Sequence, residues 1–278
     1  MTADTLPDPV EERREEQYRG ISRRVRISWG RNSAAMGVVG VLVLVCVWAV
    51  GLLDGERMIT GLADIADLLG DMWPPDFTHI NRWWGPLWDS MSMSIAATAL
   101  AVLLSVPLAL LGARNTSPHP TVYAVARLVL NTLRSVPELI MAIVFVAAVG
   151  FGALPGALAL GIHSAGMVGK FFADSIERAD QASVEVARAA GATRAQVILH
   201  GILPQVLPQM ADVTVYRWEL NFRASVVVGV VGAGGIGFEL MAALRTLQYQ
   251  EVSAILLVIL ATVTVVDALG GALRRRFQ

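Results

Sequence analysis

The feature that most constrains this chain is the spacing of its charged residues. Three long stretches carry no charge, namely Ser33–Leu53 (21 residues), Ser90–Ala113 (24) and Leu139–Gly169 (31), and Val252–Leu273 is interrupted only by Asp267. A helix of 21 residues is about 31 Å long, which matches the hydrocarbon core of a bilayer. The hydrophobic content of 55% agrees with this pattern. The sequence therefore predicts an all-α, polytopic integral membrane protein.

Composition and spacing exclude several other classes of protein. The first apolar stretch begins too far from Met1 and is too long to be the core of a signal peptide. A net charge of −1 provides no basic surface for nucleic acid. The single Cys46 excludes a disulfide framework and a cysteine-based zinc site. Because the four histidines lie far apart without ligand spacing, we predict no metal site.

Six spans are predicted, at about residues 34–53, 88–112, 121–148, 150–170, 209–232 and 251–271. No charge separates the third span from the fourth, and the glycines and proline between residues 150 and 156 supply the expected break. The limits of the fifth span stay open. Three charged residues lie in its first half, and the uncharged part at 224–238 is too short to cross a bilayer alone.

The distribution of basic residues predicts the orientation. Residues 17–33 contain five arginines and no acid, and the chain ends with three arginines at 274–276, whereas residues 54–82 carry six acids against two arginines. Because basic residues accumulate on the cytoplasmic side, both termini are expected there and the first loop outside. Within that loop we predict a short amphipathic helix at 59–72, ended by Pro74 and Pro75.

The connection from residue 170 to 208 is too polar to cross a membrane and too long for a plain turn. Residues 182–190 favour a helix, and Gly191 stands where a left-handed helix cap belongs. Thr193 and Gln196 have the spacing of a capping box, which opens a second helix that is expected to stop near Pro204. The pattern predicts two short helices that project into the cytoplasm.

The segment Glu185-Val186-Ala187-Arg188-Ala189-Ala190-Gly191, followed by Leu203-Pro204, resembles the Glu-Ala-Ala…Gly…Ile-x-Leu-Pro loop of ATP-binding-cassette importer permeases. Val186 replaces the first alanine of the pattern, and Gly201 stands where isoleucine is usual. The residues at the family spacing are Glu185, Ala187, Gly191, Leu203 and Pro204. The resemblance implies that this loop docks on an ATPase subunit and carries its nucleotide-driven motion to the spans.

Residues 133–139, 221–237 and 72–77 are similar to phosphonate-importer permeases in particular. The family resemblance covers residues 85–272 and implies a type I permease core at 88–272 with its coupling loop at 177–205. The remaining parts are a basic cytoplasmic segment at 1–33, the first transmembrane helix at 34–53, an outer loop at 54–87 and a basic tail at 273–278.

Four charged residues inside the predicted spans are candidates for a translocation path or gate: Arg134, Glu138, Glu219 and Arg223. They form two i,i+4 pairs, and each pair is expected to share one face of a helix. A charge at mid-bilayer costs about 2.5–3.5 kcal/mol, so each needs a partner or a wet cavity. Two interpretations stay open. Each pair neutralises itself where helices pack, or the four groups line the path of a charged solute.

Two further arginines, Arg127 and Arg217, are expected near span ends, with side chains that reach lipid headgroups. Arginine binds phosphate-like anions through bidentate, charge-assisted hydrogen bonds. Tight binding would hinder release, and in the resembled family the high-affinity step belongs to a separate binding protein. We therefore expect Arg134 and Arg223 to tune a path or gate and not to form a deep site.

Residues 226–237 imitate a strand that runs into the Gly-x-Gly-x-x-Gly fingerprint of dinucleotide-binding domains. Such a domain needs further strand–helix units, and the residues after 250 are mostly another span. We expect these glycines to allow close helix packing and to break the helix at the outer surface.

The chain lacks the Gly-x4-Gly-Lys-Ser/Thr motif of ATP-binding loops, so we predict that it is not an enzyme and holds no cofactor. The resemblance implies a permease subunit for phosphonate or a phosphate-like anion in the plasma membrane, with ATP and Mg bound by a partner ATPase. Its other implied partners are an extracellular solute-binding protein and a second permease copy. Two alternatives stay open: a permease for another solute, such as phosphite or an amino acid, and a passive channel or membrane enzyme without an ATPase partner.

Overall fold

The computed structural model describes residues 36–276, which form helices joined by short connections and contain no strand. The predicted basic segment at 1–33 lies outside this range, as do the last two residues of the tail. The described chain divides into two compact units, and the second unit begins at Gly70. The all-α prediction is confirmed for the described residues.

The first unit contains a short apolar helix and most of an amphipathic one. Helix α1 spans Met36–Ala49, within the predicted first span. The chain then turns at Gly51, where φ is +78°, and Asp54 Oδ1 accepts a hydrogen bond from the amide of Arg57. Helix α2, Gly55–Asp71, follows this cap and includes most of the amphipathic helix predicted at 59–72.

The described part of the second unit, which ends at residue 276, contains nine further α-helices. A π-helical turn at Val197–Ile202 links two of them, and another at Gly229–Ala233 extends one. Their bounds are α3 Ile80–Leu111, α4 Pro120–Ser135, α5 Glu138–Val149, α6 Ala153–Glu177, α7 Gln181–Ala189, α8 Arg194–Gln196, α9 Leu203–Val228, α10 Ile236–Arg245 and α11 Tyr249–Arg274.

Two of these helices, α3 and α11, are long and apolar enough to cross a membrane by themselves. The number rises to four if each of two bent pairs is one span: α4 with α5, bent by 84°, and the helical segment Arg194–Ala233 with α10, bent by 56°. The predicted third span at 121–148 is therefore a broken helix. The break falls at Pro137, a residue that lacks an amide donor and restricts the residue before it.

Helix α6 is the centre of the second unit and packs against α3, α4, α5 and α9. Its glycines make this close packing possible. A Cβ atom at Gly161 would lie 2.7 Å from the side chain of Leu100, and one at Gly166 would lie 2.6 Å from the backbone nitrogen of Arg134. The small residues of α6 thus bring charged and polar side chains of its neighbours close to one another.

The predicted stop near Pro204 is wrong, because the helix that begins at Arg194 continues through the π-helical turn into α9, which ends at Val228. In the π-helical turn the amide of Leu203 donates to the carbonyl of Ile198, five residues earlier. This change of register leaves Pro204 in the first turn of α9, where the missing amide of a proline is tolerated.

The glycines between residues 229 and 237 act in packing, as expected. The chain is helical through Val228, so the strand of a dinucleotide fingerprint is absent from this described segment. Gly232, Gly234 and Gly235 have φ values of +102°, +75° and +73°, which break the helix. A Cβ atom at Gly229 would lie 2.6 Å from the carbonyl oxygen of Gly234, so the chain folds back tightly on itself here.

The segment between α2 and α3 is fixed to the start of α11. The amide of Asp76 donates to the carbonyl of Gln250 (3.0 Å), and Ser253 Oγ donates to the carbonyl of Met72 (2.7 Å). Asp76 also accepts a hydrogen bond from the Thr78 amide (2.8 Å), and this bond lowers the pKa of the Asp76 carboxyl.

Candidate functional site

The predicted coupling loop has the local geometry that its sequence indicates. Asp180 Oδ1 accepts a hydrogen bond from the amide of Ala182 (3.1 Å) and begins α7. Gly191 follows α7 with φ at +82°, the left-handed conformation that favours glycine. Thr193 and Gln196 form the reciprocal capping box that opens α8. The two short helices are therefore set by side-chain caps and one glycine.

One face of this loop packs into the core. Val184 on α7 is fully buried, together with Val197 and Ile202 of the π-helical turn, in a cluster that includes Phe172 and Ile176 of α6. The loop is thus a firmly packed extension of α6 and α9.

A glutamine completes this attachment. Gln205 accepts a hydrogen bond from the amide of Asp180 (2.8 Å) and donates one to the carbonyl of Gly201 (2.6 Å). It therefore joins the start of α7 to the start of α9.

The opposite face of the loop is exposed. Glu185 and Gly191 are exposed, and Val186 is 71% exposed although it is apolar. Ala187 and Leu203 are partly buried against the core, and Pro204 is exposed at the start of α9. Of the predicted coupling residues, Glu185, Gly191 and Pro204 are therefore available to a partner, while the other two contribute to the packing that holds the loop.

The expected pairing of Arg134 with Glu138 is not found. The 84° bend between α4 and α5 separates the two residues, which an unbroken helix would have placed on one face. Arg134 is exposed on α4. Glu138 turns inward, where its Oε2 atom lies 3.7 Å from the guanidinium of Arg217 and 4.0 Å from Nε2 of His163.

Glu219 and Arg223 also pair with other residues. Both reach across to α11: Arg223 forms an ion pair with Asp267, and Glu219 Oε1 lies 3.0 Å from the guanidinium of Arg274. Gly270 makes the second contact possible, since a Cβ atom there would collide with the Glu219 carboxylate. These charges therefore join α9 to α11, because α11 presents a group of opposite sign to each of them.

Arg127 does not extend toward headgroups as expected. Its Nε atom donates to the carbonyl of Gly112 (2.6 Å), and its two terminal nitrogens lie 2.7 Å from Asp174 and 3.0 Å from Glu177. One guanidinium thus binds the end of α3, the end of α6 and its own helix α4 together.

The expectation for Arg217 is also wrong, because this residue lies near the middle of α9 and is only 6% exposed. Its Nε atom donates to Ser164 Oγ (2.8 Å), Ser164 donates to Asn221 Oδ1 (2.8 Å), and Asn221 Nδ2 donates to Thr98 Oγ1 (2.9 Å). This polar network of Thr98, Ser164, Arg217 and Asn221 connects α3, α6 and α9 inside the protein.

The polar network was missed in the sequence because its members lie far apart along the chain. The sequence offered one indication of this network, namely small polar residues within apolar stretches. Ser164 is one such residue, and hydrogen bonds between helices are a common use of serine and asparagine in membranes. Within residues 36–276 there is no group of three His, Cys, Asp or Glu residues that could hold a metal ion.

Comparison with known proteins identifies related chains. The phosphite transport system permease protein PtxC of Stutzerimonas stutzeri is 61% identical over 263 residues, which are 95% of this chain and 96% of that protein. The phosphate-import permease protein PhnE of Mycolicibacterium smegmatis is 44% identical over 84% of this chain and 43% of its own length.

The fold is shared with a solved structure, the inward-facing MetNI methionine ABC transporter. The match has a TM-score of 0.61 at 20% identity and covers 69% of this chain and 94% of that one. The family model described as "Binding-protein-dependent transport system inner membrane component" matches residues 101–278. The resemblance inferred from the coupling loop is confirmed, and the chain belongs to the family of binding-protein-dependent transport system inner membrane components.

Proposed function

We propose that the chain is the membrane-spanning permease subunit of an ATP-binding-cassette importer that carries a phosphorus oxyanion, such as phosphite, phosphonate or phosphate. The observation that carries this proposal is the 61% identity, over nearly the whole of both chains, to a phosphite transport permease. A passive channel would not need the capped, half-exposed loop at 177–205, which offers a docking surface and is firmly attached to the core.

The proposed mechanism rests on the continuity of one helix. The segment Arg194–Ala233 begins in the coupling loop and contains Arg217 near the middle of α9. Because α7 packs on the same segment through Val184 and the π-helical turn, a force applied to the exposed face of the loop moves both short helices together. The motion reaches the polar network without passing through a flexible connection.

The partners follow from the same proposal. ATP and Mg are bound by cytoplasmic ATPase subunits below the coupling loop, and the permease itself is not an enzyme. A solute-binding protein docks outside, and a second permease copy completes the path. We also propose that both termini are cytoplasmic, with the transmembrane core at 88–272 in the plasma membrane. Closure of the ATPase pair opens the cavity outward, and hydrolysis resets it.

Gly191→Ala tests the docking assignment, with Gly201→Ala as its matched control. Gly191 has a φ of +82°, so alanine there costs about 1–2 kcal/mol and reorients the loop. A Cβ atom at Gly201 would have its nearest neighbours at an ordinary 3.9 Å. We expect Gly191→Ala to reduce phosphite uptake per ATP hydrolysed about tenfold, whereas Gly201→Ala keeps the wild-type ratio.

The measurement uses the complete transporter in proteoliposomes, with uptake and ATP hydrolysis recorded in parallel. An unchanged ratio for Gly191→Ala would refute the docking role of the loop. If the wild-type transporter takes up none of the three oxyanions, the proposed substrate class is wrong. If no ATPase subunit co-purifies with the permease, the assignment of the chain to an ATP-dependent importer is wrong.

A further inference from the structure

Arg217 has less negative charge around it than a buried guanidinium requires. Among residues 36–276, its one hydrogen-bond partner is a neutral group, Ser164 Oγ, at 2.8 Å. In the described part of the chain, the carboxylate oxygen paired with Arg217 is on Glu138 and lies 3.7 Å away, beyond direct hydrogen-bond distance. A buried charge is normally both paired and hydrogen-bonded. Arg217 therefore keeps donors that can bind another anion.

The carboxylate that faces Arg217 lies on the more accessible side of the pair. The side chain of Glu138 is 33% exposed, whereas that of Arg217 is 8% exposed. His163 is the third member of the cluster. Its Nδ1 atom lies 3.0 Å from the carbonyl oxygen of Val136, and its Nε2 atom faces the same Glu138 oxygen at 4.0 Å. The Arg217 and His163 side chains are thus more deeply buried than the Glu138 carboxylate, which is the most exposed member of the cluster.

The backbone adds a second attraction for negative charge at this point. Glu138 is the first residue of α5, which begins directly after the 84° bend. The first amides of a helix have no acceptor within the helix, and this end carries partial positive charge. Broken helices in membrane transporters direct such ends at anionic solutes. The side chains and the helix end therefore favour an anion at the same place.

We infer that Arg217 and the start of α5 form an oxyanion site beside His163, and that the Glu138 carboxylate occupies this site when no solute is bound. The inference rests on the proposed function and specifies how the transported anion is held. A phosphorus oxyanion displaces the Glu138 carboxylate, and Arg217 binds its oxygens through charge-assisted hydrogen bonds. On release, Glu138 returns and neutralises Arg217.

This exchange of one anion for another keeps binding weak. A transport path must bind its solute well enough to admit it and loosely enough to release it. An empty site would leave a buried cation without a counter-charge, and a site without Glu138 would hold the oxyanion tightly. Competition by a carboxylate of the protein itself avoids both states. The polar network fixes the position of Arg217 while Glu138 moves.

The test measures equilibrium binding of inorganic phosphite and inorganic phosphate to the permease–ATPase complex without its binding protein. The complex is held in nanodiscs of zwitterionic lipid. We expect Glu138→Gln to bind both anions at least about tenfold more tightly than wild type, because the competing charge is gone. Glu138→Ala removes the same charge with a different shape, so the gain must appear there also. Glu138→Asp keeps the charge and stays near wild-type affinity.

Two further variants decide whether the gain belongs to this site. Adding Arg217→Gln to Glu138→Gln must abolish it, while Arg245→Gln, at an exposed arginine of α10, must leave wild-type affinity unchanged. The inference is overturned if neither neutral variant at 138 gains affinity, or if the double variant keeps the gain. Repeating the measurement with anionic lipid shows whether a lipid headgroup can occupy the site in place of free phosphite. A headgroup that fills the site would reduce phosphite binding to Glu138→Gln.

Uptake by the wild-type transporter with its binding protein keeps the two proposals apart. If the wild type takes up phosphite but the neutral variants show no gain, the inference alone is wrong. If the wild type takes up no phosphorus oxyanion, the proposed function is wrong.

Discussion

Two arginines with little exposed surface are held in opposite ways in this protein. Arg127 lies 2.7 Å from Asp174 and 3.0 Å from Glu177 and also donates to a backbone carbonyl at 2.6 Å. Arg217 has one hydroxyl at 2.8 Å and one carboxylate at 3.7 Å. Each nitrogen of the Arg127 guanidinium has an oxygen partner within 3.0 Å, whereas among residues 36–276 only one nitrogen of Arg217 does. A buried charge with several close partners stabilises the packing of helices, whereas Arg217, with one carboxylate beyond hydrogen-bond distance, fits the proposed binding of an anion.

The surroundings of the two residues agree with this difference. Arg127 joins the ends of α3, α4 and α6 and stacks near the ring of Tyr123, with 5.5 Å between guanidinium carbon and ring centroid. Arg217 lies near the middle of α9, beside the bend between α4 and α5. A single substitution at each position can separate the structural role from the functional one.

The largest effect is expected for Arg127→Met, which removes the charge but keeps much of the side-chain volume. Asp174 would then keep only its ion pair with Lys170, and Glu177 would lose the cation that it shares with Asp174. We expect the free energy of unfolding to fall by about 2 kcal/mol, because these groups are partly exposed and a fully buried pair would lose more. Thermal unfolding in detergent measures this loss. Arg178→Met, at an exposed arginine at the end of α6, is the control and should leave the midpoint unchanged.

A loss of transport without a comparable loss of stability is expected for Arg217→Gln. Glutamine can still donate to Ser164, and it no longer buries an incompletely paired charge. We expect the unfolding midpoint to stay near the wild-type value while kcat/KM for phosphite uptake falls at least about tenfold. If Arg217→Gln unfolds as readily as Arg127→Met, the contrast between the two arginines is wrong.

The smallest effect is expected for Asp174→Asn. Glu177 still pairs with Arg127, and the asparagine oxygen can still accept a hydrogen bond from it. The free energy of unfolding should fall by less than about 1 kcal/mol. Thermal unfolding under the conditions used for Arg127→Met gives the comparison. A loss as large as that of Arg127→Met would mean that Asp174 alone accounts for the stability that Arg127 provides through its two ion pairs.

Local features of the fold could be predicted from the sequence, and long-range ones could not. The capping box at Thr193 and the left-handed Gly191 follow from residues within a few positions of each other. The amphipathic helix before Pro74 has the same local origin. Such features depend on short-range hydrogen bonds and backbone sterics, which neighbouring residues determine.

The charge pairs depend on how distant helices meet. The i,i+4 spacing of Arg134 and Glu138 suggested one helical face, but the bend at Pro137 turns Glu138 toward Arg217, which lies on another helix. Pro137 lies between the two residues in the sequence, and proline disfavours a continuous helix. The size of the bend and the partner across it depend on the glycines of α6, whose contacts appear only in three dimensions.

The π-helical turn at Val197–Ile202 changes the direction in which the side chains after it face, relative to those before it. A π turn holds one residue more than an α turn, and one residue corresponds to about 100° of rotation around the axis. The direction in which the coupling loop faces is therefore offset from the direction in which α9 presents Arg217. The inserted residue allows the two ends of one helix to face different directions, one toward the exposed surface of the loop and the other toward the protein interior.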